Sequence, residues 1–305
     1  MPVLRPGNSR PSNDTSIKLV LASSRWQRVG YALLYLVFAA ICLVSLARDE
    51  GLGLGRKPWE NFKRTATEMS RPSFLDIWFG AERLEYKNEA GEVLRVENRP
   101  QVEAKFLRGL ASAVWTTLRI ATLGTVLAGL LALPLGFLTA RNLGAPKWAA
   151  VLAKVLLDAC RSIHTLVFGL FLVGIVGLGP TAGILAIAAH SMGSFGKLYC
   201  EAIGSIDMAA VDAVRAVGAR PLQVFFLSVW PAVLPQLLST HFYIWEFNIR
   251  DSTVLGLVGA GGLGLLISDA ISLFQWSRLA TILIVIVSMV MVFNSVSRAV
   301  RTRLL

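Results

Sequence analysis

The chain has 305 residues, of which 54% are hydrophobic and only 16% charged. A soluble domain carries about 25% charged residues, so the deficit excludes an ordinary water-soluble enzyme and points to a protein embedded in lipid. The formal net charge of +11 does not indicate nucleic acid, because the Lys and Arg residues collect beside apolar segments, as the positive-inside rule expects.

Residues 1–28 are polar and basic, with Arg5, Arg10, Lys18, Arg25 and Arg28, and Pro2, Pro6 and Pro11 favour a disordered start. The run 29–46 is then long enough for a first transmembrane helix. Ser45 and Ala47 resemble a signal-peptide cleavage site, but the long basic leader and the later spans favour an uncleaved helix. Residues 47–107 form a hydrophilic loop with nearly balanced charge, and two β-prone runs around a polar turn within 84–96 predict a small hairpin. Five more apolar spans follow, at about 113–140, 151–178, 181–199, 229–249 and 279–296. A short basic tail, 299–305, ends the chain.

Six spans put both termini on one side. That side receives the leader, Arg141, Lys147, Lys154, Lys197, Arg215, Arg220, Arg298, Arg301 and Arg303. It is therefore expected to be cytoplasmic, with the 47–107 loop outside. Recurrent glycines (Gly124, Gly129 and Gly136, then Gly169, Gly174 and Gly177) are read as helix-packing positions. Cys42, Cys160 and Cys200 are too few and too scattered for a disulfide framework or a metal site, and are expected to be reduced, buried thiols.

Residues 259–264 read GAGGLG and match a dinucleotide-binding pattern. That pattern requires a preceding strand and a ribose-binding acid about 20 residues on. Here an apolar span precedes it, so no cofactor is expected. Gly256, Gly259, Gly261, Gly262 and Gly264 indicate instead backbone that leaves helical geometry inside a membrane protein, at a gate region. No phosphate-binding loop of the G-x-x-x-x-G-K-[ST] type exists, so any ATP hydrolysis belongs to another subunit.

Residues 201–235 carry the most information. An amphipathic pattern at 209–217 is followed by Gly218, suited to ending a helix, and by Arg220-Pro221, suited to starting one. The expected result is a short helix, a sharp turn, and a helix running back into the membrane. The run Asp212-Ala213-Val214, with Gly218 after three residues and Leu234-Pro235 downstream, resembles the EAA loop of ABC-importer permeases. The usual third alanine is Val214 here. The segments Cys160–Leu170, His190–Ile203 and Leu234–Gly264 narrow the resemblance to phosphonate-type permeases over about 111–298.

The resemblance implies an all-α, type-1 ABC importer permease fold with a cytoplasmic coupling helix, in the bacterial inner membrane. The coupling element would comprise Asp212, Ala213, Val214, Arg215, Gly218, Ala219, Arg220 and Pro221. Implied partners are two ATP-binding cassette subunits that bind ATP and Mg, a periplasmic solute-binding protein, and a second permease copy or a paralogue. The substrate class would be phosphonate, phosphite or hypophosphite. Other substrates of the class, such as methionine or phosphate, remain alternatives.

Ionisable side chains within spans are costly and mark paths or cavities. Arg161 and His164 are expected on one face of the third span, His190 in the middle of the fourth, and Glu246, Arg250 and Asp251 at the end of the fifth. Arginine suits phosphonate oxygens because its planar fork donates two parallel hydrogen bonds. An ion-coupled secondary transporter would need coupling carboxylates, and the spans offer only Asp158 and Glu246. No nucleophile–base or metal constellation suggests an enzyme.

Overall fold

The computed structural model describes residues 13–48, 57–79, 83–87, 93–140 and 146–304. The expected disordered start at Pro2, Pro6 and Pro11, the hairpin turn, and Arg141 lie outside the described residues. The chain divides into two units, Met1–Lys63 and Arg64–Leu305.

The first unit contains α1 (Asn13–Arg48), whose stretch Val29–Arg48 is long and apolar enough to cross a membrane. The helix starts before the expected span, within the basic leader. Every residue from Val29 to Arg48 is exposed, an apolar surface that suits lipid or a protein partner. Cys42 is on this surface, contrary to the expectation of a buried thiol, while Cys160 and Cys200 are half-buried. The unit also holds the start of α2 (Pro58–Met69).

In the second unit the end of α2 leads through a 3-10 turn, Ser73–Leu75, into the short α3 (Asp76–Phe79). The strands β1 (Arg83–Lys87) and β2 (Val93–Asn98) form the predicted antiparallel hairpin, with a register irregularity between Tyr86 and Lys87. Residues 68–76 are tied to the transmembrane helices by specific contacts. Ser277 Oγ donates to the carbonyls of Glu68 (3.2 Å) and Arg71 (2.8 Å), and Ser73 and Thr281 hydroxyls meet at 3.1 Å. Arg99 pairs with Asp76.

Helix α4 (Arg99–Thr139) begins where Pro100 suits the first turn, inside the segment expected as loop. Its 41 residues span ~60 Å, about twice a bilayer core, so it must project beyond the membrane. Then come α5 (Lys147–Ser162), α6 (Thr165–Val176), α7 (Pro180–Gly204), α8 (Met208–Ala216), α9 (Pro221–Val224), a π-helical stretch (Phe225–Val229), α10 (Trp230–Leu255), α11 (Leu263–Ser272) and α12 (Trp276–Leu304). Helix α12 continues through the residues expected as a tail.

One expectation fails at 151–178. That run is two helices, α5 and α6, meeting at 92°. The break is local: Ile163 is extended, and His164 caps α6, its Nδ1 accepting the Leu166 N–H at 3.2 Å. Four described helical stretches are long and apolar enough to cross a membrane, and the bent pair makes a fifth. Helix α7 falls below that apolarity because it does not face lipid along its length. It is the central helix, packed on α4, α5, α6 and α10, with twelve buried residues, many of them Ala or Gly.

Small residues set these close crossings. A Cβ on Gly124 would approach Ile187 to 2.8 Å, and one on Gly136 would approach Tyr199 to 2.9 Å. Gly193 and Gly196 leave no room against Leu157 of α5. Gly174 and Gly177, expected at contacts, have open space beside them. The core between α4, α7 and α10 holds Ala128, Ala132, Phe195, Tyr199, Ile203, Val233 and Leu237. A second cluster joins α4, α10, α11 and α12 through Leu110, Ile249, Leu263 and Ile282. With no hydrophobic drive between helices in lipid, such tight packing is what holds them together.

Candidate docking knob and polar face

The segment after α7 forms a small knob. Asp207 caps α8, its carboxylate accepting the Ala209 N–H at 2.9 Å. The helix ends where the Gly218 N–H bonds the Arg215 carbonyl at 2.9 Å, with Gly218 at φ +82°. The Arg220 N–H is capped by Gln223 Oε1 at 2.8 Å, and Pro221 opens α9. The helix, sharp turn and returning helix are thus as expected, and Gly218 takes the positive φ that Cβ-bearing residues resist.

A satellite core pins the knob to the bundle: Val211, Val224 and Val229 are buried against Phe137, Ile206, Met208, Val214, Ala219 and Phe225. Val214 and Ala219, two of the expected docking residues, therefore face inward. Asp212, Ala213, Arg215, Gly218, Arg220 and Pro221 are exposed, as is Val217 at 84%. Asp212 and Arg215 pair at 3.3 Å on this surface, where such a pair contributes well under 1 kcal/mol.

The membrane-embedded candidates divide into two groups. Arg161 is the penultimate residue of α5, and it pairs with Asp158 at 2.9 Å. It does not share a helix face with His164, because the chain turns between them. The break instead brings His164 beside His190: their rings are 6.4 Å apart, and His190 Nδ1 lies 2.7 Å from the Ile163 carbonyl. Arg161, His190 and Lys197 line a cleft of about 360 Å³, closed on the other side by Tyr243, Phe247 and Asn248 of α10.

Arg250 does not close its helix, which runs on to Leu255. Asp251 is engaged by the Thr165 hydroxyl at 2.7 Å, linking α10 to α6. Arg250 pairs with Glu246 at 3.6 Å and lies over the Phe247 ring, 5.6 Å from its centroid. Tyr243, Phe247 and Arg250 follow helical spacing and are each about half exposed, at 52%, 46% and 50% (side chain, for Arg250).

Two features escaped the reading of the sequence. Asn248 is fully buried and joins three helices: Ser191 Oγ donates to its Oδ1 at 2.9 Å, and its Nδ2 donates to Thr125 Oγ1 at 2.8 Å. An amide in the middle of an apolar span was the available signal. Arg301 of α12 also reaches Glu246, at 3.3 Å, an ion pair across 55 residues that no local pattern announces.

The glycine-rich segment is a packed turn. Gly256–Val258 is 3-10, and Gly259, Gly261 and Gly262 have positive φ. The Leu263 N–H donates to Thr117 Oγ1 at 2.9 Å, and the Gly179 N–H donates to the Gly259 carbonyl at 3.0 Å. A Cβ on Gly256 would come within 2.6 Å of Gly264 Cα, and one on Gly264 would overlap the Thr253 carbonyl. The preceding element is a helix, so the dinucleotide reading has no structural context.

Residues 132–304 match the family model described as the binding-protein-dependent transport system inner membrane component. HtxC of Stutzerimonas stutzeri is 39% identical over 185 residues, covering 61% of this chain and 66% of the relative. The phosphite transport system permease protein PtxC of the same organism is 40% identical over 185 residues, covering 61% of this chain and 67% of the relative. The phosphate-import permease protein PhnE of Mycolicibacterium smegmatis is 35% identical over 189 residues, covering 62% of this chain and 36% of the relative. The chain thus spans about two thirds of the length of the first two and about a third of the last. Among solved structures, the inward-facing MetNI methionine ABC transporter matches with a TM-score of 0.59 at 23% identity, over 66% of this chain and 98% of that one. That likeness establishes the fold, a type-1 ABC importer permease. With the family match over more than half of its residues, the chain belongs to the inner-membrane components of binding-protein-dependent transport systems.

Proposed function

We propose that this chain is the permease subunit of an ATP-driven importer that carries a phosphonate-like oxyanion (phosphonate, phosphite or hypophosphite) across the bacterial inner membrane. The names of the relatives speak of phosphite and phosphate, whose shared chemistry is a tetrahedral phosphorus oxyanion. The observation that carries the reading is the half-exposed Arg250 on a helix otherwise apolar enough to lie in lipid. A guanidinium open to hydrocarbon is costly, so this face belongs against water or protein. A second permease copy, placed about a two-fold axis, turns the face into one wall of an aqueous path. Arg161 and His190, which line a cleft against Tyr243 and Phe247 of α10, and His164 beside His190, are assigned to the same path, with Glu246 and Asp251 balancing the charge.

The knob of exposed Asp212, Ala213, Arg215, Gly218, Arg220 and Pro221 is assigned to docking on an ATP-binding cassette subunit, one for each permease. Val214 and Ala219 support it from within. ATP and Mg belong to those subunits, and this chain is a non-catalytic transport component. Both termini and the knob are assigned to the cytoplasm, and 47–107 to the periplasm, where a solute-binding protein delivers the substrate. The permease domain is assigned to 111–298, and the packed turn at Gly256–Gly264 to the gate region.

The test is uptake in proteoliposomes containing this permease, its ATPase and its solute-binding protein, offered phosphonate, phosphite, hypophosphite, phosphate and methionine. ATP-dependent uptake of a phosphorus oxyanion is expected. Uptake of methionine alone would replace the substrate class. Uptake by the chain without ATPase, driven by an ion gradient, would replace the mechanism.

A further inference from the structure

Two guanidinium groups converge on one carboxylate. Glu246, its side chain only 15% exposed, receives Arg301 of α12 at 3.3 Å on Oε2 and faces Arg250 at 3.6 Å on Oε1. With the Asn294 amide oriented as its neighbours require, Asn294 Nδ2 also donates to Oε1 at 3.0 Å. Each guanidinium is held over an aromatic ring of α10, Arg250 over Phe247 and Arg301 over Tyr243 at 5.7 Å. Arg301 reaches back along its own helix, its Nε donating to the Ser297 carbonyl, rather than toward the helix end where water is nearer.

The two arginines are not equivalent. The contact of Arg301 with Glu246 is within hydrogen-bonding range, and its side chain is 29% exposed. The contact of Arg250 is beyond that range, and its side chain is 50% exposed. Arg301 and Asn294 therefore hold Glu246 whether or not Arg250 is present. The cluster carries one net positive charge, and the surplus sits on the looser, more exposed arm.

We infer that Glu246 is an internal stand-in for the transported anion, holding Arg250 while the path is empty and yielding it to an incoming oxyanion while Arg301 and Asn294 keep the carboxylate neutralised. This inference rests on the import reading above. Arg250 without Glu246 would retain an anion too well, since a planar fork binds a tetrahedral oxyanion through two parallel bonds. Conduction requires binding firm enough to enter and weak enough to leave, and a carboxylate competing for the same fork supplies the release.

The experiment measures methylphosphonate binding to the complete transporter in detergent by 31P line broadening, beside ATP-driven uptake in proteoliposomes. R250A should weaken binding about ten- to a hundredfold, the loss of hydrogen bonds to a charged group. E246Q preserves shape, and it should bind more tightly than the wild type while turning over more slowly. R301A should weaken binding, because Glu246 then keeps Arg250 as its one remaining ion-pair partner among the described residues and holds it harder. The double variant R301A/E246Q should regain binding at or above the wild-type level. A merely structural ion pair predicts no tightening in E246Q and no regain in the double variant, and either result in a transporter that still co-purifies with its ATPase overturns the inference. If the wild type imports no phosphorus oxyanion at all, the import reading fails first. If it does import one and E246Q binds as the wild type does, only the stand-in role of Glu246 fails.

Discussion

Gly218 and the turn from Gly256 to Gly264 are both places where the chain reverses on glycine, but the turn, besides the positive φ of Gly259, Gly261 and Gly262, adds a demand for space that Gly218 does not make. At Gly218 the backbone has φ +82°, and a Cβ there would meet nothing within 4 Å. Only the torsion demands glycine. At Gly256 and Gly264 the torsions are permissive, but a Cβ would collide with backbone atoms of the facing residue. Only the space demands it. The knob is thus a conformational device, pinned to the bundle by Val211, Val224 and Val229 but with its turn exposed. The turn is a packing device that lets α10, α11 and α4 close on one another, with Thr117 satisfying the Leu263 N–H.

The difference makes the two sites separable by substitution. Gly264→Ala should have the largest effect, because a methyl group forced against the Thr253 carbonyl has no side chain to push aside. Overpacking of this kind costs about 1–3 kcal/mol or more. Thermal unfolding of the detergent-solubilised permease should shift strongly downward, with reduced membrane yield. An unchanged melting temperature would mean the turn is looser than its contacts indicate.

Gly218→Val comes next, at about 1–2 kcal/mol of left-handed strain confined to the knob. Here melting of the bundle should be nearly unaffected, while ATPase pull-down and uptake fall together. Gly218→Asn sharpens the contrast, since asparagine visits left-handed backbone readily. It should retain most ATPase association. If Asn and Val act alike, bulk at the docking surface matters more than the torsion.

The smallest effect is expected from Asp207→Ala, which removes the cap of α8 at a cost of about 1 kcal/mol. Satellite packing of Val211 against Val224 and Val229 continues to hold the helix. ATPase association should weaken without being abolished, and the melting temperature should stay put.

The membrane class, the approximate spans, the hairpin and the knob were all legible in the sequence, because each follows from local information. Hydropathy marks a helix that must face lipid, and Gly218 with Pro221 marks a stop and a start within four residues. The same logic explains what was misread. The segment from Val151 to Leu178 holds no proline or other helix breaker at residues 162–164, so its 92° break after Ser162 was read as part of one span, although Arg161 and His164 flank it. It arises where His164 caps a new helix and α5 packs against Gly193 and Gly196 of α7.

Arg161, His164, Glu246 and Arg250 could be picked out from sequence as costly ions in apolar surroundings. Their long-range partners could not. Arg250 had two candidate mates nearby, Asp251 beside it and Glu246 one turn before; the structure pairs it with Glu246, which Arg301 of α12 shares, while Asp251 serves Thr165 on α6. Neighbours in sequence on a helix point in different directions, and only packing decides which distant helix a given face will meet. Local chemistry therefore settled what kind of protein this is and where its chain turns. The sharing of Glu246 with Arg301 of α12, and with it the charge left over on the exposed face of α10, emerged only once the helices were assembled, because a long-range ion pair depends on distance in space rather than along the chain.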